Sequence, residues 1–485
     1  MAEVGSSMET DVLVIGYGGA GATAAITAHD SGADVLILEK MPEPGGSTLV
    51  SVGGWTMPED AADYARYLET ICFKTVDTDM IDVLVQGSLE NTEWIRSLGG
   101  DVQPFTYPQV SYSLHSPDIS FPGVPGGEKL ARYTIKGTDG WGGYRMWQLL
   151  SENVKQRGIR VLTSTPAKEL VQNEKGEIVG ALAETDGKIV TIKAKRGVIL
   201  TCGGFENDKE LTWDNLPCKP ICFLGNPGNT GDGIRMAQKV GAALWHMGRL
   251  SSTLGFKAPE LEAAFYINFL APGFIYVDHD AQRFANETGV DSHEYWKVLS
   301  YFDTRRFIYP RIPCYVILDE EVIRRGPLVQ RTSGYNLLKY KWSLDNSVEV
   351  KKGWVKKAKS IPDLAKQLSL DASALEETIT SYNNACLGAR DDAYGRSKDS
   401  MEAINSPYYA MQLWPAMQYT QGGPRRNKEA RVLDPYGKPI PRLYSAGELG
   451  SMWGFLYQNA TMVPETLVFG RIAGRNAAAQ PPLES

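Results

Sequence analysis

The sequence has few cysteines, no surplus of basic residues and no long apolar run. Its 485 residues include six scattered cysteines, and their spacing matches no zinc, haem or iron–sulfur site. We therefore expect reduced cysteines, no metal site and a cytoplasmic protein. Lysine and arginine number 50 against 57 acidic residues, for a net charge of −7. This charge favours neither nucleic acid nor an anionic membrane surface as a partner.

The lack of any stretch of about 18 apolar residues predicts that no segment spans a membrane. The first ten residues are polar and lack the apolar centre of a signal peptide. The composition is nonetheless 43% hydrophobic, which is enough for a sizeable core. A chain of this length predicts two domains, or one domain with a large insertion.

Residues 11–40 have the pattern of a strand, a tight turn, a helix and a second strand. Gly16, Gly18 and Gly21 follow the first strand with the spacing G-x-G-x-x-G. In this pattern the first glycine permits the turn, the second lets a pyrophosphate approach the backbone, and the third lets the helix pack on the sheet. Glu39 ends the second strand, where a carboxylate can accept hydrogen bonds from an adenosine ribose. The stretch therefore predicts a dinucleotide-binding fold.

A second glycine-rich loop follows soon after the first. It contains Gly45-Gly46-Ser47-Thr48 and then Gly53-Gly54. A nicotinamide dinucleotide does not need such a loop at this place, whereas the isoalloxazine ring of a larger dinucleotide must lie against backbone. We therefore predict FAD rather than NAD.

Four later motifs complete a pattern that runs along nearly the whole chain. They are Thr-Cys-Gly-Gly-Phe at residues 201–205, Thr-Gly-Asp-Gly at 230–233, Arg-Phe-Ala-Asn-Glu at 283–287 and Leu-Tyr-Ser-Ala-Gly-Glu at 443–448. With the two glycine loops, they resemble the FAD-binding family of fumarate reductase, succinate dehydrogenase and 3-ketosteroid dehydrogenase flavoproteins. The resemblance implies an α/β fold. A Rossmann-type FAD-binding domain, residues 1–245 and 418–485, would carry an inserted α+β substrate-capping domain at residues 246–417.

The resemblance also implies which residues contact FAD. Family members that tether FAD covalently carry a histidine in the second glycine loop, and this chain has none there, so we expect non-covalent FAD. Without a redox metal site in the sequence, electrons must come from or pass to an external partner. The expected contacts are Gly16, Gly18, Gly19, Ala20, Gly21, Glu39, Lys40, Gly46, Ser47, Thr48, Gly53, Gly54, Ala167, Thr201, Gly203, Gly204, Asp232, Gly447, Glu448, Thr461, Met462 and Val463.

Residues that bind a dicarboxylate in this family are absent at the positions that the resemblance implies. The proton-donating arginine of fumarate reductases lies four positions past the glutamate of the Arg-Phe-x-Asn-Glu motif, and Asp291 stands there. Ile267 and Leu270 stand at the positions of the family's proton relay. Tyr419 and Tyr457 replace a histidine and an arginine. A substrate carboxylate buried without a partner costs several kcal/mol, so we exclude fumarate and succinate.

The two tyrosines suit an uncharged carbonyl instead. Tyr457 resembles the tyrosine that 3-ketosteroid dehydrogenases carry in this loop, where a phenol can donate a hydrogen bond to a ketone. Tyr419 is either a second hydrogen-bonding or proton-transfer group or a core aromatic residue. A backbone N–H near Thr461 could add a second donor to the carbonyl. We expect an enzyme that forms or reduces a C=C bond beside the carbonyl of a small apolar substrate, with a 3-ketosteroid as the best single choice.

Two alternatives remain open. An unsaturated or aromatic acid would need a cation, for which Arg305, Arg306 or Arg425 could serve. From a different class, the chain could be a flavin-holding subunit without catalysis of its own. We expect His293 to be a surface residue, with a role in the site as the alternative.

The remaining patterns predict ordinary elements around these motifs. Helices are predicted at residues 59–72, 79–98, 361–368 and 371–385, and a last helix begins near residue 461. Strands at residues 158–162, 167–171, 178–183 and 189–194 are predicted to form a small antiparallel sheet, and a separate buried strand begins at residue 197. The composition of residues 104–143 predicts an irregular loop that covers the site and carries Tyr107, Tyr112, His115 and Tyr133.

Overall fold

The computed structural model describes residues 7–106, 111–113, 119–388 and 393–483. Tyr107 and His115, which were predicted to cover the site, lie outside these residues. The described strands, in chain order, are β1 Met8–Ile15, β2 Val35–Leu38, β3 Trp55–Pro58, β4 Val102–Pro104, β5 Leu130–Ile135, β6 Arg160–Leu162, β7 Ala167–Gln172, β8 Ile178–Thr185, β9 Lys188–Leu200, β10 Cys222–Phe223, β11 Leu244–Trp245, β12 Leu250–Phe256, β13 Phe265–Tyr266, β14 Phe274–Val277, β15 Cys314–Leu318, β16 Lys356–Ala358, β17 Tyr408–Thr420, β18 Gly423–Pro424, β19 Arg431–Leu433 and β20 Pro439–Ser445.

The helices are distributed between the strands. They are α1 Gly19–Asp30, α2 Gly46–Leu49, α3 Ala61–Ile71, α4 Thr78–Ser97, α5 Gly142–Gln156, α6 Lys209–Asn215, α7 Asp232–Lys239, α8 Tyr295–Leu299, α9 Glu320–Arg325, α10 Ser347–Lys351, α11 Ile361–Leu368, α12 Ala372–Ala385 and α13 Met462–Ala478, with short 3₁₀ turns at Tyr335–Leu338 and Lys398–Ser400. The predicted helices therefore form within one or two residues of their expected bounds. Among the described residues, no helix is both long and apolar enough to cross a membrane.

The main sheet has the strand order β19-β20-β9-β1-β2-β6, with β8 and β7 attached beside β9. Strands β20, β9, β1, β2 and β6 pair in parallel. Their inner members are apolar because both faces are covered: Val12 and Val14 belong to one hydrophobic cluster, and Leu13 and Ile15 to the other. The confirmed α/β fold thus brings the carboxyl ends of these parallel strands to one edge of the sheet, where dinucleotides bind.

Two strand predictions are wrong in detail. The strand predicted at residues 158–162 is β6, and it pairs in parallel with β2 at the edge of the main sheet rather than in the antiparallel sheet. The two strands predicted at residues 189–194 and from residue 197 are one continuous strand, β9. Its first half pairs with β8 and its second half with β1 and β20. Because one strand serves both arrays, the antiparallel sheet is a rigid extension of the main sheet.

A second sheet is built around the long strand β17. Its path is β13-β12-β17-β15-β14, with β10 and β16 also paired to β17. β17 runs without interruption across residues 417 and 418, where the sequence predicts the end of the capping domain. The domain bounds stay a prediction, but this strand joins the capping region directly to Tyr419 and Thr420.

The region predicted as an irregular loop is partly ordered into regular structure. β5 lies inside residues 104–143 and pairs with β3 and β4, and α5 begins at Gly142. The sequence Leu-Ala-Arg-Tyr-Thr-Ile of β5 combines aromatic and β-branched residues, which suit a strand, but glycine and proline on both sides obscured this signal. The strand positions Arg132 and Tyr133, and Arg132 lines the cavity described below.

Candidate active site

The first glycine turn lies at the edge of the main sheet, where β1 ends. Gly16 has φ +107°, and a Cβ there would lie 2.4 Å from the Thr201 carbonyl oxygen. A Cβ at Gly21 would lie 2.0 Å from the Gly16 carbonyl oxygen, so the start of α1 packs directly on the turn. A Cβ at Gly18 would meet nothing nearer than 3.6 Å. The first and third glycines are therefore required by packing, whereas Gly18 leaves room on the side of a cavity.

The acid at the end of β2 is held by backbone. Glu39 accepts hydrogen bonds from the N–H of Tyr17 and from the N–H of Met41, both at 2.7 Å. These contacts fix the carboxylate beside the glycine turn, where it can still accept from a ribose hydroxyl. Lys40 Nζ lies 2.6 Å from Asp232 Oδ2, so the predicted cofactor residues of β2 and α7 meet at this end of the cavity.

The second glycine loop meets the last parallel strand through a polar cluster. Ser47 Oγ donates to Glu448 Oε2 at 3.3 Å. Asn229 Nδ2 donates to Ser47 Oγ at 3.1 Å and to both carboxyl oxygens of Glu448 at 3.4 Å. Ser47 and Asn229, which are far apart in the chain, thus both bind the buried carboxyl group of Glu448.

Glu448 also faces a second buried acid, Glu206. Glu206 Oε1 accepts from the Thr420 N–H at 2.8 Å, while its Oε2 is buried without a hydrogen-bond partner in the described part of the chain. Burial and the charge of Glu206 raise the pKa of Glu448 well above its usual value, and burial also raises the pKa of Glu206. Two close buried carboxylates do not both ionise readily, so the pair favours sharing one proton.

Tyr457 lies in the loop before α13, the last helix. Its hydroxyl oxygen accepts hydrogen bonds from the N–H of Thr461 at 3.2 Å and from the N–H of Met462 at 3.1 Å. Burial raises the pKa of Tyr457, although these two N–H groups and the Tyr419 hydroxyl oppose the rise. The Thr461 N–H, predicted as a donor to substrate, is therefore engaged by Tyr457 in this structure.

Tyr419 stands beside Tyr457 from the end of β17. The two ring centroids are 5.2 Å apart in an edge-to-face arrangement. The Tyr419 hydroxyl oxygen is buried and makes no hydrogen bond of good geometry with any described residue. Burial, with Tyr457 nearby, raises the pKa of Tyr419 well above its usual value. Both predicted catalytic tyrosines thus lie together as neutral phenols.

His293 is not the surface residue that was expected. It is 7% exposed, and its ring centroid lies 5.0 Å from that of Tyr457. Its Nδ1 lies 2.8 Å from Asp291 Oδ1, which also accepts from the His293 N–H at 2.9 Å. The sequence signal failed because the polar run around His293 indicated solvent, whereas the fold packs this segment against the loop that carries Tyr457.

Arg132 is the functional candidate that sequence reasoning missed. It projects from β5 and is only 5% exposed. By contrast, the arginines proposed for an acid substrate do not line the cavity. Arg306 pairs with Asp280, Arg425 pairs with Asp77, and Arg305 is exposed.

One continuous cavity of about 850 Å³ connects these groups. Its dinucleotide end is lined by the glycine turn, Glu39, Lys40, Ser47 and Glu448, and its substrate end by Arg132, His293, Tyr419 and Tyr457. Of the predicted cofactor residues, Gly16, Gly18, Ala20, Glu39, Lys40, Gly46, Ser47, Thr48, Gly53, Gly54, Ala167, Thr201, Gly203, Asp232, Gly447, Glu448, Met462 and Val463 line it, whereas Gly19, Gly21, Gly204 and Thr461 lie behind the surface.

The residues that line the cavity fit the chemistry of FAD. The start of α1 has no side-chain cap, so its N–H groups and positive dipole end can receive a pyrophosphate through the room at Gly18. The first residues of α13, Met462 and Val463, line the cavity at the other end. A helix start there suits the negative charge of a reduced flavin ring. Among the described residues, no three His, Cys, Asp or Glu side chains group as a metal site.

Comparisons with known proteins agree with this geometry. A family model described as "FAD binding domain" matches residues 11–461. The chain is 28% identical over 486 residues to a fumarate reductase (cytochrome) of Shewanella frigidimarina, covering 96% of this chain and 77% of that protein. It is 28% identical over 499 residues to the urocanate reductase of Eggerthella lenta, covering 98% of this chain and 75% of that protein.

A solved structure shows the same fold. The 3-ketosteroid Δ1-dehydrogenase of Sterolibacterium denitrificans has a TM-score of 0.83 and 21% identity, covering 97% of this chain and 99% of that chain. The predictions of FAD as cofactor and of an FAD-dependent oxidoreductase are confirmed at the level of the family. With the match over residues 11–461 and a cavity lined by the glycine turn and Glu39, the chain belongs to the FAD-binding domain family.

Proposed function

We propose that the protein forms or reduces a C=C bond beside the carbonyl of an α,β-unsaturated ketone. The observation that carries this proposal is the Tyr457 hydroxyl, held by two backbone N–H groups in the wall of the cavity. When bound, FAD supplies hydride-transfer chemistry. The protein's own residues must then bind the carbonyl, polarise it and move a proton.

Tyr457 is arranged to donate a hydrogen bond. Its oxygen already accepts from the N–H groups of Thr461 and Met462, so its own O–H is the group left to bind a ketone oxygen. Two accepted hydrogen bonds polarise that O–H and strengthen the bond it donates. A neutral phenol achieves this without burying a charge, which favours a ketone over a carboxylate.

Tyr419 can add a second donor at the same place. Its hydroxyl is buried, lines the cavity and makes no well-formed hydrogen bond with a described residue. A buried hydroxyl without a partner is unfavourable by about 1–3 kcal/mol, and a substrate carbonyl would remove this cost. The role also explains why an aromatic residue with a polar tip, rather than phenylalanine, stands beside Tyr457.

The cavity has apolar side chains in its walls that suit a substrate with an apolar body. Phe105, Leu224, Leu270 and Val329 line the same cavity. Burial of apolar surface stabilises a bound ligand by roughly 25 cal/mol per Å². A 3-ketosteroid is the best single choice of substrate class, because it combines a large apolar body with one conjugated ketone.

Arg132 supports a second candidate, an unsaturated carboxylic acid. Its side chain lines the cavity from β5 and is nearly fully buried. A guanidinium can bind a carboxylate through two parallel hydrogen bonds. The names of two relatives, a fumarate reductase and a urocanate reductase, refer to acids of this kind. The acid therefore stays as the alternative substrate class.

A reoxidation assay tests the proposal directly. FAD-loaded protein is reduced with dithionite without oxygen, and 4-androstene-3,17-dione, cyclohex-2-enone, urocanate or acrylate is then added in separate samples. We expect the ketones to restore the flavin absorbance and to yield the saturated ketone. Reoxidation by the acids alone would replace the ketone with the second candidate. A flavin that is reduced but inert to all four compounds would favour a non-catalytic flavin-holding subunit.

A further inference from the structure

We propose that His293 is a catalytic residue that gives and takes the proton on the carbon next to the substrate carbonyl, and that Asp291 is its positioning residue. This inference rests on the proposed function, since it concerns a ketone held at Tyr457. The observation behind it is a buried histidine at the substrate end of the cavity. One of its ring nitrogens is fixed by a carboxylate, and the other has no hydrogen-bond partner among the residues that the structure describes.

The ring of His293 is held in one orientation. Asp291 Oδ1 lies 2.8 Å from Nδ1 and also accepts the His293 backbone N–H at 2.9 Å. A carboxylate at Nδ1 keeps the proton on that nitrogen, so Nε2 is the nitrogen that exchanges protons. No residue in the described parts of the chain makes a hydrogen bond to Nε2, and the side chain lines the cavity beside Tyr457.

The segment that carries His293 is anchored to the carbonyl-binding loop. The His293 carbonyl oxygen accepts from the Ser252 N–H at 3.0 Å. The next residue, Glu294, accepts the backbone N–H of Tyr457 at 3.0 Å through Oε1. The proton-transfer group and the carbonyl donor are therefore fixed relative to each other through one side chain, which is the geometry that acid–base catalysis needs.

The other ionisable groups near Tyr457 are less suited to this task. Burial raises the pKa of Tyr419 well above its usual value, and burial raises that of Tyr457. Glu294 is engaged by Lys297 and by the Tyr457 N–H. Among these groups, His293 combines a ring nitrogen that has no hydrogen-bond partner in the described residues with an imidazole, which can both give and take a proton.

The position of Asp291 in the sequence supports the same assignment. It stands where the resemblance implies the proton-donating arginine of fumarate reductases, four residues past Glu287. Its carboxylate instead orients a histidine two residues further along, through the contact of Oδ1 with His293 Nδ1. The chain thus keeps proton transfer at this place of the fold and changes the group that performs it.

The proposed step balances without any further reactant. To form the saturated ketone, the electron pair of an enolate makes the new C–H bond, the Nε2–H bond breaks, and the imidazolium becomes a neutral imidazole. In the reverse direction, Nε2 takes the proton, and the electron pair of the C–H bond moves to the carbonyl oxygen, where Tyr457 stabilises it. Solvent restores the proton of His293 between cycles.

Exchange of the α-protons of a saturated ketone in D₂O isolates this step from electron transfer. Protein that holds reduced FAD is incubated without oxygen with 5α-androstane-3,17-dione or cyclohexanone, and loss of the α-proton signals is followed by NMR. We expect His293→Gln to slow the exchange by about 10²-fold or more, the usual scale for one acid–base group. His279→Gln, in the same capping region but outside the cavity lining, should exchange at the wild-type rate.

A second pair of variants distinguishes catalysis from structure. His293→Ala should regain exchange when imidazole is added, because a small base can fill the space, and a purely structural defect would not be rescued. Asp291→Asn should slow exchange less than His293→Gln does, with FAD absorbance unchanged in both.

Two results would overturn the proposal. If His293→Gln and unrescued His293→Ala exchange at the wild-type rate while the wild-type enzyme turns over the ketones, His293 is not the proton-transfer group and the proposed function still stands. If the wild-type enzyme neither exchanges the α-protons of a ketone nor reduces any ketone, the proposed function is wrong, and so is this proposal.

Discussion

The two ends of the cavity are built in different ways. At the dinucleotide end, the walls are backbone turns at the ends of parallel strands, and two of the turn's glycines, Gly16 and Gly21, have no room for a side chain. At the substrate end, the walls are side chains from β5, from the segment before α8, from β17 and from the loop before α13. The first end accepts a ligand common to a whole family, while the second can change its specificity one side chain at a time.

The largest expected effects come from substitutions at two glycines of the same turn, one of which should prevent folding and the other only FAD binding. Gly21→Val places side-chain atoms against the Gly16 carbonyl oxygen, which lies only 2.0 Å from a Cβ there, so the protein should not fold. Gly18→Val has space for its Cβ, so the fold should survive while FAD binding is lost. Circular dichroism and flavin absorbance of the purified variants check this contrast, and a folded, yellow Gly18→Val protein would contradict it.

This difference between the ends also explains what the sequence could predict. The glycine turn with Glu39, and separately the last helix, are each encoded within one short stretch of the chain, so local spacing is enough to identify them. Arg132 reaches the cavity because β5 pairs with β3. His293 reaches it because the neighbouring Glu294 accepts a hydrogen bond from the Tyr457 N–H. Such contacts join residues far apart in the chain, and no local pattern reports them.

The same reasoning accounts for the wrong strand assignments. Apolar runs correctly predict that β6 and both halves of β9 are strands. They do not predict which strands pair, because pairing depends on tertiary packing. The sequence predicts two strands in place of β9 because Lys195 and Arg196 interrupt the apolar pattern. Their charges are compensated at the surface, where Lys195 pairs with Glu9 and Arg196 with Asp11.

Loss of the Tyr419 hydroxyl should have a smaller effect, confined to the substrate end. Tyr419→Phe keeps the ring against Tyr457 and removes one neutral hydrogen-bond donor, which is worth about 0.5–1.5 kcal/mol, or roughly two- to twelvefold in rate. We expect turnover of 4-androstene-3,17-dione to fall by about that factor while FAD absorbance is unchanged. Tyr444→Phe, which removes a buried hydroxyl that is remote from the cavity lining, should leave turnover unchanged. An unaltered rate in Tyr419→Phe would mean that Tyr419 is a core aromatic residue.

The acid pair at the dinucleotide end should make stability depend on pH. The raised pKa values of Glu448 and Glu206 mean that folding favours their protonated forms. Their contribution is complete below the unfolded pKa of about 4.3 and is lost as the pH rises through the raised folded values. Glu206→Gln replaces the shared proton with an amide N–H, so its free energy of unfolding should fall less from pH 5 to pH 9. Urea unfolding across this range measures the difference, and parallel curves for wild type and variant would contradict the account.

The smallest effect is expected at Arg132, provided that the substrate is a ketone. Arg132→Lys keeps the charge in the wall of the cavity but removes the planar pair of donors. Turnover of the ketone should then stay within about threefold of wild type, a change under 1 kcal/mol. A fall of about tenfold or more with urocanate or acrylate, beside an unchanged ketone rate, would show that Arg132 holds a carboxylate.

The most direct test of the central claim is the steady-state rate of Tyr457→Phe with 4-androstene-3,17-dione, measured as kcat and KM separately. If the Tyr457 hydroxyl polarises a ketone, kcat should fall by roughly 10²-fold or more, the usual scale for one such donor. KM and FAD affinity should change much less, because the ring still fills its place between Tyr419 and Trp453. Near-normal turnover in Tyr457→Phe, together with collapse of turnover in Arg132→Lys, would contradict the ketone and establish the acid in its place.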